Sequence, residues 1–267
     1  TKFLSSNEAG SEYTQADSLS AFTSDGFTVS DNTSGADMNS SSHTYVTWNW
    51  KANGAGSTDT SGDINAVVSA NQTAGFSIVK YTATSDPDAT VPHGLGVAPE
   101  MVFYKWGSSA WYCWTTVIDG SNDRLVLDRT DAQSTVSASY GSFTSSFIRG
   151  IDVSTGVIAY CFASKPSFSK VGIYTGNGSA DGPFVNCGFK PAWLMIKNTS
   201  NAQDWMIWDT KRNPFNEVTQ FLYPNLSADE GAGSNVLDLV SNGFKLRNAG
   251  TRNRNYNGDV YLYMAFA

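Results

Sequence analysis

Residues 45–52 read YVTWNWKA, residues 157–164 read VIAYCFAS, and residues 261–267 read YLYMAFA. In each stretch the apolar side chains return at every second position: Val46, Trp48 and Trp50; Ile158, Tyr160 and Phe162; Leu262, Met264 and Phe266. A period of two places such side chains on one face of a β-strand. Trp48 and Trp50 resemble a sugar-stacking platform when taken alone. The other two stretches put Tyr160 with Phe162 and Met264 with Phe266 in the same columns, so we read that face as core.

Each closing strand ends an ordered series of patterns: an apolar pair (Phe3-Leu4, Leu125-Val126, Phe221-Leu222), a stretch rich in Asp, Ser, Asn and Gly, a Phe (Phe27, Phe147, Phe244), and then the strand itself. From apolar pair to Phe the offsets are 24, 22 and 23 residues, and from Phe to the closing aromatic 23, 15 and 22. A recurrence this long, with loops of variable length, predicts a duplicated β-module rather than a solenoid of short units. Front halves align as well, with Tyr81 beside Tyr174, Pro99 beside Pro191, and WYCW (Trp111, Trp114) beside WMIW (Trp205, Trp208).

The expected fold class is therefore all-β: tandem duplicated antiparallel β-sandwich modules, jelly-roll-like, with an N-terminal half-module. Residues 1–52 are the back half of a first repeat, 53–75 a linker with a short strand near 64–69, 76–166 the second repeat and 170–267 the third. A back half alone exposes apolar strand faces, so residues 1–52 are expected to pack on the next module, on another subunit or on sequence before residue 1. The chain opens on Thr1 without a front half for its first copy, which leads us to expect a fragment or processed product. No stretch has a sustained helical period.

Only 15% of residues are charged, against roughly 25% in an average soluble domain. Ser, Thr, Asn and Gly supply the polarity, as short strands joined by turns require. A net charge of −7 and a pI near 4.7 provide no basic stripe to displace phosphate counterions, and so exclude nucleic acid as the expected partner. No window approaches a membrane span, and membrane insertion is not expected. Cys113, Cys161 and Cys187 lie among apolar neighbours without CxxC spacing, which predicts buried free thiols and assembly in a reducing cytoplasm.

Catalytic motifs are missing: neither HExxH nor GxSxG occurs, and His93, in VPHGLGVAP, is read as a turn histidine bonded to backbone. Carboxylates are scattered on loops, and the second and third copies share no carboxylate pair of the kind glycoside hydrolysis uses. DGSND (Asp119, Asn122, Asp123) and NGSADG (Asn177, Asp181) offer hard oxygens but match no EF-hand loop. They are read as solvated turns, with neither metal nor cofactor expected.

The candidate binding residues are aromatic and basic. Within Trp111/Trp114 and Trp205/Trp208 an i,i+3 spacing points the two indoles to opposite faces of a strand. One indole of each pair is expected in the core, and the other either meets a sugar or partner or is buried under a neighbouring module or subunit. Arg212, with the run Arg247, Arg252 and Arg254, forms the local basic concentrations, which are read first as solvated loops and otherwise hold an acidic glycan or lipopolysaccharide phosphates or join inter-subunit salt bridges.

KFLSSNEA (2–9), SDGFTV (24–29), VSANQTAGFSIVKYT (68–82), HGLGVAP (93–99), YTGNGSADGPFVNCGFKPAWLMIK (174–197), DWMIWDTKRNPFN (204–216), SNGFKLRN (241–248) and the terminal YLYMAFA together resemble a known family. It is a repeat domain of unknown function found in tail-fibre-like and other virion structural proteins of tailed bacteriophages, especially marine ones. The resemblance implies a virion protein assembled in the host cytoplasm, and it carries no catalytic residue over. We expect an appendage module for host-surface attachment or display, partnered with other virion proteins and with itself (a trimer if on a fibre), and a host glycan as ligand. The alternatives are a head decoration protein without a receptor and, remotely, a glycan-cleaving tail spike.

Overall fold

The computed structural model describes residues 2–15, 18–30, 38–137 and 140–267. Among the described residues there are 22 strands and no α-helix. In chain order they are β1 (Lys2–Phe3), β2 (Tyr13–Thr14), β3 (Leu19–Phe22), β4 (Phe27–Val29), β5 (Ser57–Asp59), β6 (Ala66–Asn71), β7 (Phe76–Thr82), β8 (Thr90–Pro92), β9 (Met101–Lys105), β10 (Tyr112–Thr115) and β11 (Asp123–Val126). There follow β12 (Ser134–Thr135), β13 (Phe147–Arg149), β14 (Gly156–Phe162), β15 (Ser169–Thr175), β16 (Phe184–Asn186), β17 (Trp193–Asn198), β18 (Met206–Asp209), β19 (Val218–Phe221), β20 (Gly231–Val240), β21 (Gly243–Leu246) and β22 (Val260–Phe266).

The C-terminal part is a sandwich of two four-stranded sheets, ordered β15-β22-β17-β18 and β16-β21-β20-β19. Its first strand pairs with its last and its second with its seventh, as in a jelly roll, while the strands between are joined as hairpins within each sheet. The middle part repeats the first of these sheets: β7-β14-β9-β10 stand in the same order, extended by β11 and β12 on one side and by β6 and β5 on the other into eight strands. Its second layer is thinner, formed by β8 against β13, with Val136, Tyr140 and Phe143 from the intervening loop packed against the same core.

Two local readings change here. Residues 57–59, placed in the linker by composition, pair with β6, and β6 runs from Ala66 to Asn71 along the whole of its partner β7. Gly75 makes the β6–β7 turn with φ of 65°, and a Cβ there would stand 2.2 Å from the Ala163 carbonyl oxygen. Residues 45–52 keep the strand alternation, with Val46, Trp48, Trp50 and Ala52 turned inward and their neighbours exposed. They form no ladder, however: among the described residues no backbone–backbone hydrogen bond reaches residues 46–52. The equivalent strands β14 and β22 each lie between two partners, β7 with β9 and β15 with β17.

The central strands of both large sheets are buried on both faces. One face of β9, β14, β17 and β22 closes its own sandwich, through Val102, Tyr104, Ala159 and Cys161 in one and Leu194, Ile196, Tyr263 and Ala265 in the other. The opposite faces meet each other in a third apolar layer that includes Met101, Phe103, Trp193, Met195 and Met264. The face read from sequence as core is this shared layer. Trp50, Phe162 and Phe266, the three closing aromatics, stand around one point, with centroid separations of 6.3, 5.5 and 6.2 Å. Edge-to-face packing at such distances stabilises each aromatic pair by about 0.5–1.5 kcal/mol beyond area burial.

Candidate functional site

The shared layer decides where the four repeated indoles go. Trp114 and Trp208 fill their own sandwich cores, and Trp111 and Trp205 fill the layer between sheets. At 8, 5, 1 and 0% exposure for Trp111, Trp114, Trp205 and Trp208, none offers a face to a sugar, so the reading of an exposed indole is corrected to burial under a neighbouring module. The cause is the second buried face: a strand covered on both sides has no solvent side for the alternate residue. Trp111 Nε1 donates to the Ser5 carbonyl at 2.7 Å and Trp205 Nε1 to the Val126 carbonyl at 2.9 Å. Each outward indole thus ties to a carbonyl far back in the chain, at or just after the apolar pairs Phe3-Leu4 and Leu125-Val126.

Beside Trp48 and Trp50 lies a cavity of about 580 Å³, open on one side. Trp48, Trp50, Ile78 and Tyr160 line it, as do Leu222, Tyr223, Pro224 and Leu226, which follow from the third apolar pair. Ser6 lies on its wall and donates its hydroxyl to the Pro224 carbonyl at 2.8 Å. The indole nitrogens of Trp48 and of Trp193, a further wall residue, are buried without a hydrogen-bond partner, at a cost of roughly 1–3 kcal/mol each. The cavity therefore adjoins a strand without a ladder and two unpaired donors.

A second, polar groove of about 680 Å³ lies where residues 42–46 cross the end of the last sandwich, lined by Tyr45, Arg212, Gln220, Asp229 and Glu230 among others. Arg212 is held there: Nε donates to Asp209 at 2.6 Å, Nη1 to Glu230 at 2.9 Å and Nη2 to the Ile207 carbonyl at 3.2 Å. Gln220 Nε2 donates to the other Glu230 oxygen at 2.7 Å. Tyr45, nearly half exposed, accepts the Ser40 amide at its hydroxyl. A fork of planar donors and acceptors beside an exposed ring has the chemistry that a pyranose takes.

The basic run at 247–254 does not form a patch. Arg254 N and Asn255 N both bond the Thr251 carbonyl, and this turn sends its arginines in different directions. Arg247 pairs with Asp238 at 2.5 Å, and Arg252 lies 4.1 Å over the Tyr256 ring and 3.9 Å from Asp259. Arg254 is buried beside Met206 Sδ at 3.9 Å, and burial lowers its pKa.

Residues with nucleophile or base chemistry serve packing. His93 is fully buried, accepting the Leu95 amide at Nδ1 and facing the Thr144 carbonyl with Nε2 at 3.2 Å. Burial lowers its pKa despite the Thr144 contact. The three cysteines are buried and free, with thiols raised by burial, Cys161 to about 12 and Cys187 to about 11. Sequence reading missed Lys105, the last residue of β9, and Lys197, the last but one of β17, both buried. Lys105 Nζ donates to the carbonyls of Gly107 and Ser109, and Lys197 Nζ to those of Gln203 (2.5 Å) and Thr130 (2.8 Å). The Thr130 bond joins the two modules, and burial lowers the Lys197 pKa to about 8. The only signal for them was a Lys closing an otherwise apolar strand.

Comparison with curated proteins and with solved structures returned no match. The family model described as a domain of unknown function (DUF7483) matches residues 1–267, and the chain belongs to that family.

Proposed function

We propose that this chain is a structural module of a bacteriophage virion appendage, assembled in the host cytoplasm and serving host-surface attachment or display. The observation that carries the reading is the open third position of the shared layer. Two β-sheets of one strand order face each other, and residues 45–52 bring the equivalent aromatics without a ladder among the described residues. The cavity beside them has the place and apolar lining for the hairpin that β9–β10 and β17–β18 provide elsewhere. A surface with room for one more β-hairpin is a joining surface, whether that hairpin comes from sequence before residue 1, from a second copy or from another virion protein, because strand addition supplies both backbone bonds and side chains for the cavity. The repeat reading of the sequence supports the same conclusion, and the resemblance to virion proteins supplies the particle. Self-association into a homo-oligomer and contact with other virion proteins belong to this reading, and catalysis does not.

A synthetic hairpin of residues 193–209, added in trans and followed by fluorescence anisotropy, is expected to bind saturably, and the same peptide with Trp205→Ser to bind at least tenfold more weakly. Equal binding of both peptides, or of neither, defeats the joining-surface reading. On intact particles, antibody–gold label at the tail appendage supports attachment. Label over the head supports the alternative of a head decoration protein, and an unlabelled particle rejects the virion assignment.

A second reading rests on the polar groove. We propose that Tyr45, Gln220 and Glu230 take a host-surface saccharide there, with Arg212 holding Glu230 in place. Tyr45→Ala, which removes the exposed ring, is expected to abolish glycan-array signal while leaving thermal stability within a degree or two. Silence of the wild-type chain on the array rejects this site without touching the structural reading.

A further inference from the structure

The corner between β10 and β11 places two carboxylates where one cannot be satisfied by the protein. Asp123 opens β11, its Cα opposite Thr115 on one side and Thr135 on the other. It is fully buried, yet neither carboxylate oxygen has a partner in good hydrogen-bonding geometry, and the polar groups that act on it are the Asp119 carboxyl and the Thr135 hydroxyl. Cross-strand neighbours project to the same face, but the Thr115 hydroxyl donates to the Glu100 carbonyl at 2.7 Å and so gives Asp123 nothing. Asp119, four residues earlier on the loop, accepts the Ser121 amide (2.8 Å) and hydroxyl (2.6 Å) at Oδ1 alone. Asn122 takes no part: it projects to the other face, where its Nδ2 donates to the Gly141 carbonyl.

The two carboxyls act on each other. Burial raises the pKa of Asp123 and the charge of Asp119 raises it further, while the Thr135 hydroxyl lowers it. For Asp119 the Ser121 hydroxyl and amide hold the pKa down. An ionised carboxylate without a donor is costly to bury, and a like charge beside it adds to the cost. A cation removes both costs at once. Oxygen donors without nitrogen or sulfur select a hard ion, and a site assembled from two carboxylates, a hydroxyl and a loop suits the adaptable coordination of calcium better than the strict octahedron of magnesium.

We propose that Asp119 and Asp123, with the Thr135 hydroxyl and water, form a calcium site that locks the β10–β11 corner at the rim of the layer shared by the two modules. The third module has Gln220 in the position of Asp123, by the match of the Cys113–Leu125 pair to the Ile207–Leu222 bridge. The site is therefore a property of the second module alone, which accounts for the carboxylates not recurring with the repeat.

The test is a calcium chloride titration of the full chain after treatment with a chelator, read by differential scanning fluorimetry and by calorimetric binding. Calcium at a hundred times its Kd is expected to raise Tm by several degrees, with magnesium giving a smaller rise at equal concentration. Asp123→Asn is isosteric and removes a buried charge, so the variant folds at least as stably as the chelated wild type and loses the calcium response. Asp119→Asn is expected to weaken calcium binding tenfold or more. A wild type whose Tm ignores calcium overturns the proposal, and so does a response that survives in Asp123→Asn. Equal rises with magnesium overturn the choice of calcium.

Discussion

Replacing Trp205 and Trp208 by phenylalanine, one at a time, separates the shared layer from the sandwich core. Both indoles are essentially fully buried, at 1% and 0% exposure, and Trp→Phe removes the same atoms at each. Loss of packing therefore largely cancels between the two variants, leaving the fate of the indole N–H. At 205 it bonds the Val126 carbonyl at 2.9 Å, so its removal costs the net value of one buried hydrogen bond, about 1 kcal/mol. The carbonyl keeps a weaker donor, the Arg129 amide at 3.3 Å, which limits the additional loss. At 208 the N–H is buried without a partner, and removing it relieves a desolvation penalty of about 1–3 kcal/mol. Trp205→Phe should thus be less stable than Trp208→Phe by roughly 2–4 kcal/mol. The assay is urea unfolding followed by far-ultraviolet circular dichroism, with midpoint and slope compared across wild type and both variants. A Trp208→Phe variant as destabilised as Trp205→Phe would refute both the cross-module hydrogen bond and the isolation of the Trp208 donor.

Stability should fall on mild acidification. His93 has a folded-state pKa below its unfolded value, so the unfolded chain binds the proton first. The contribution is complete above about pH 6.5 and declines below it by at most ~1.4 kcal/mol per pH unit until the folded group titrates. Urea midpoints from pH 7.5 to 5 check this, and His93→Gln should flatten the profile over that range. Because Cys113, Cys161 and Cys187 are buried with raised pKa values, a thiol reagent at pH 8 should label none of them in the folded protein and all three in urea. Rapid labelling of the native chain would show that the sandwiches open.

Most strands were legible because alternation is local: a residue and its second neighbour share a face whatever lies opposite. The closing strands read at 157–164 and 261–267 are β14 and β22, and the turn assigned to His93 holds since Gly94, Gly96 and backbone bonds around the ring are matters of a few residues. Residues 45–52 mark the limit of that reading. Their alternation survives, but a ladder needs a partner, and no local pattern says whether one is present.

The sequence by itself determined which residues turn to the same side, where the chain bends, and that Cys, His and most carboxylates lie among packing or turn residues. Only the tertiary structure decided what each side meets. Because the central strands of the two large sheets bury both faces, Trp111 and Trp205 lie in a layer between modules and have no solvent face. The turn at Thr251 divides the arginines, and the register of β10, β11 and β12 leaves the buried Asp123 carboxylate without a well-placed donor. These outcomes depend on contacts between residues far apart in the chain, and a periodicity of two carries no information about which distant face will cover it.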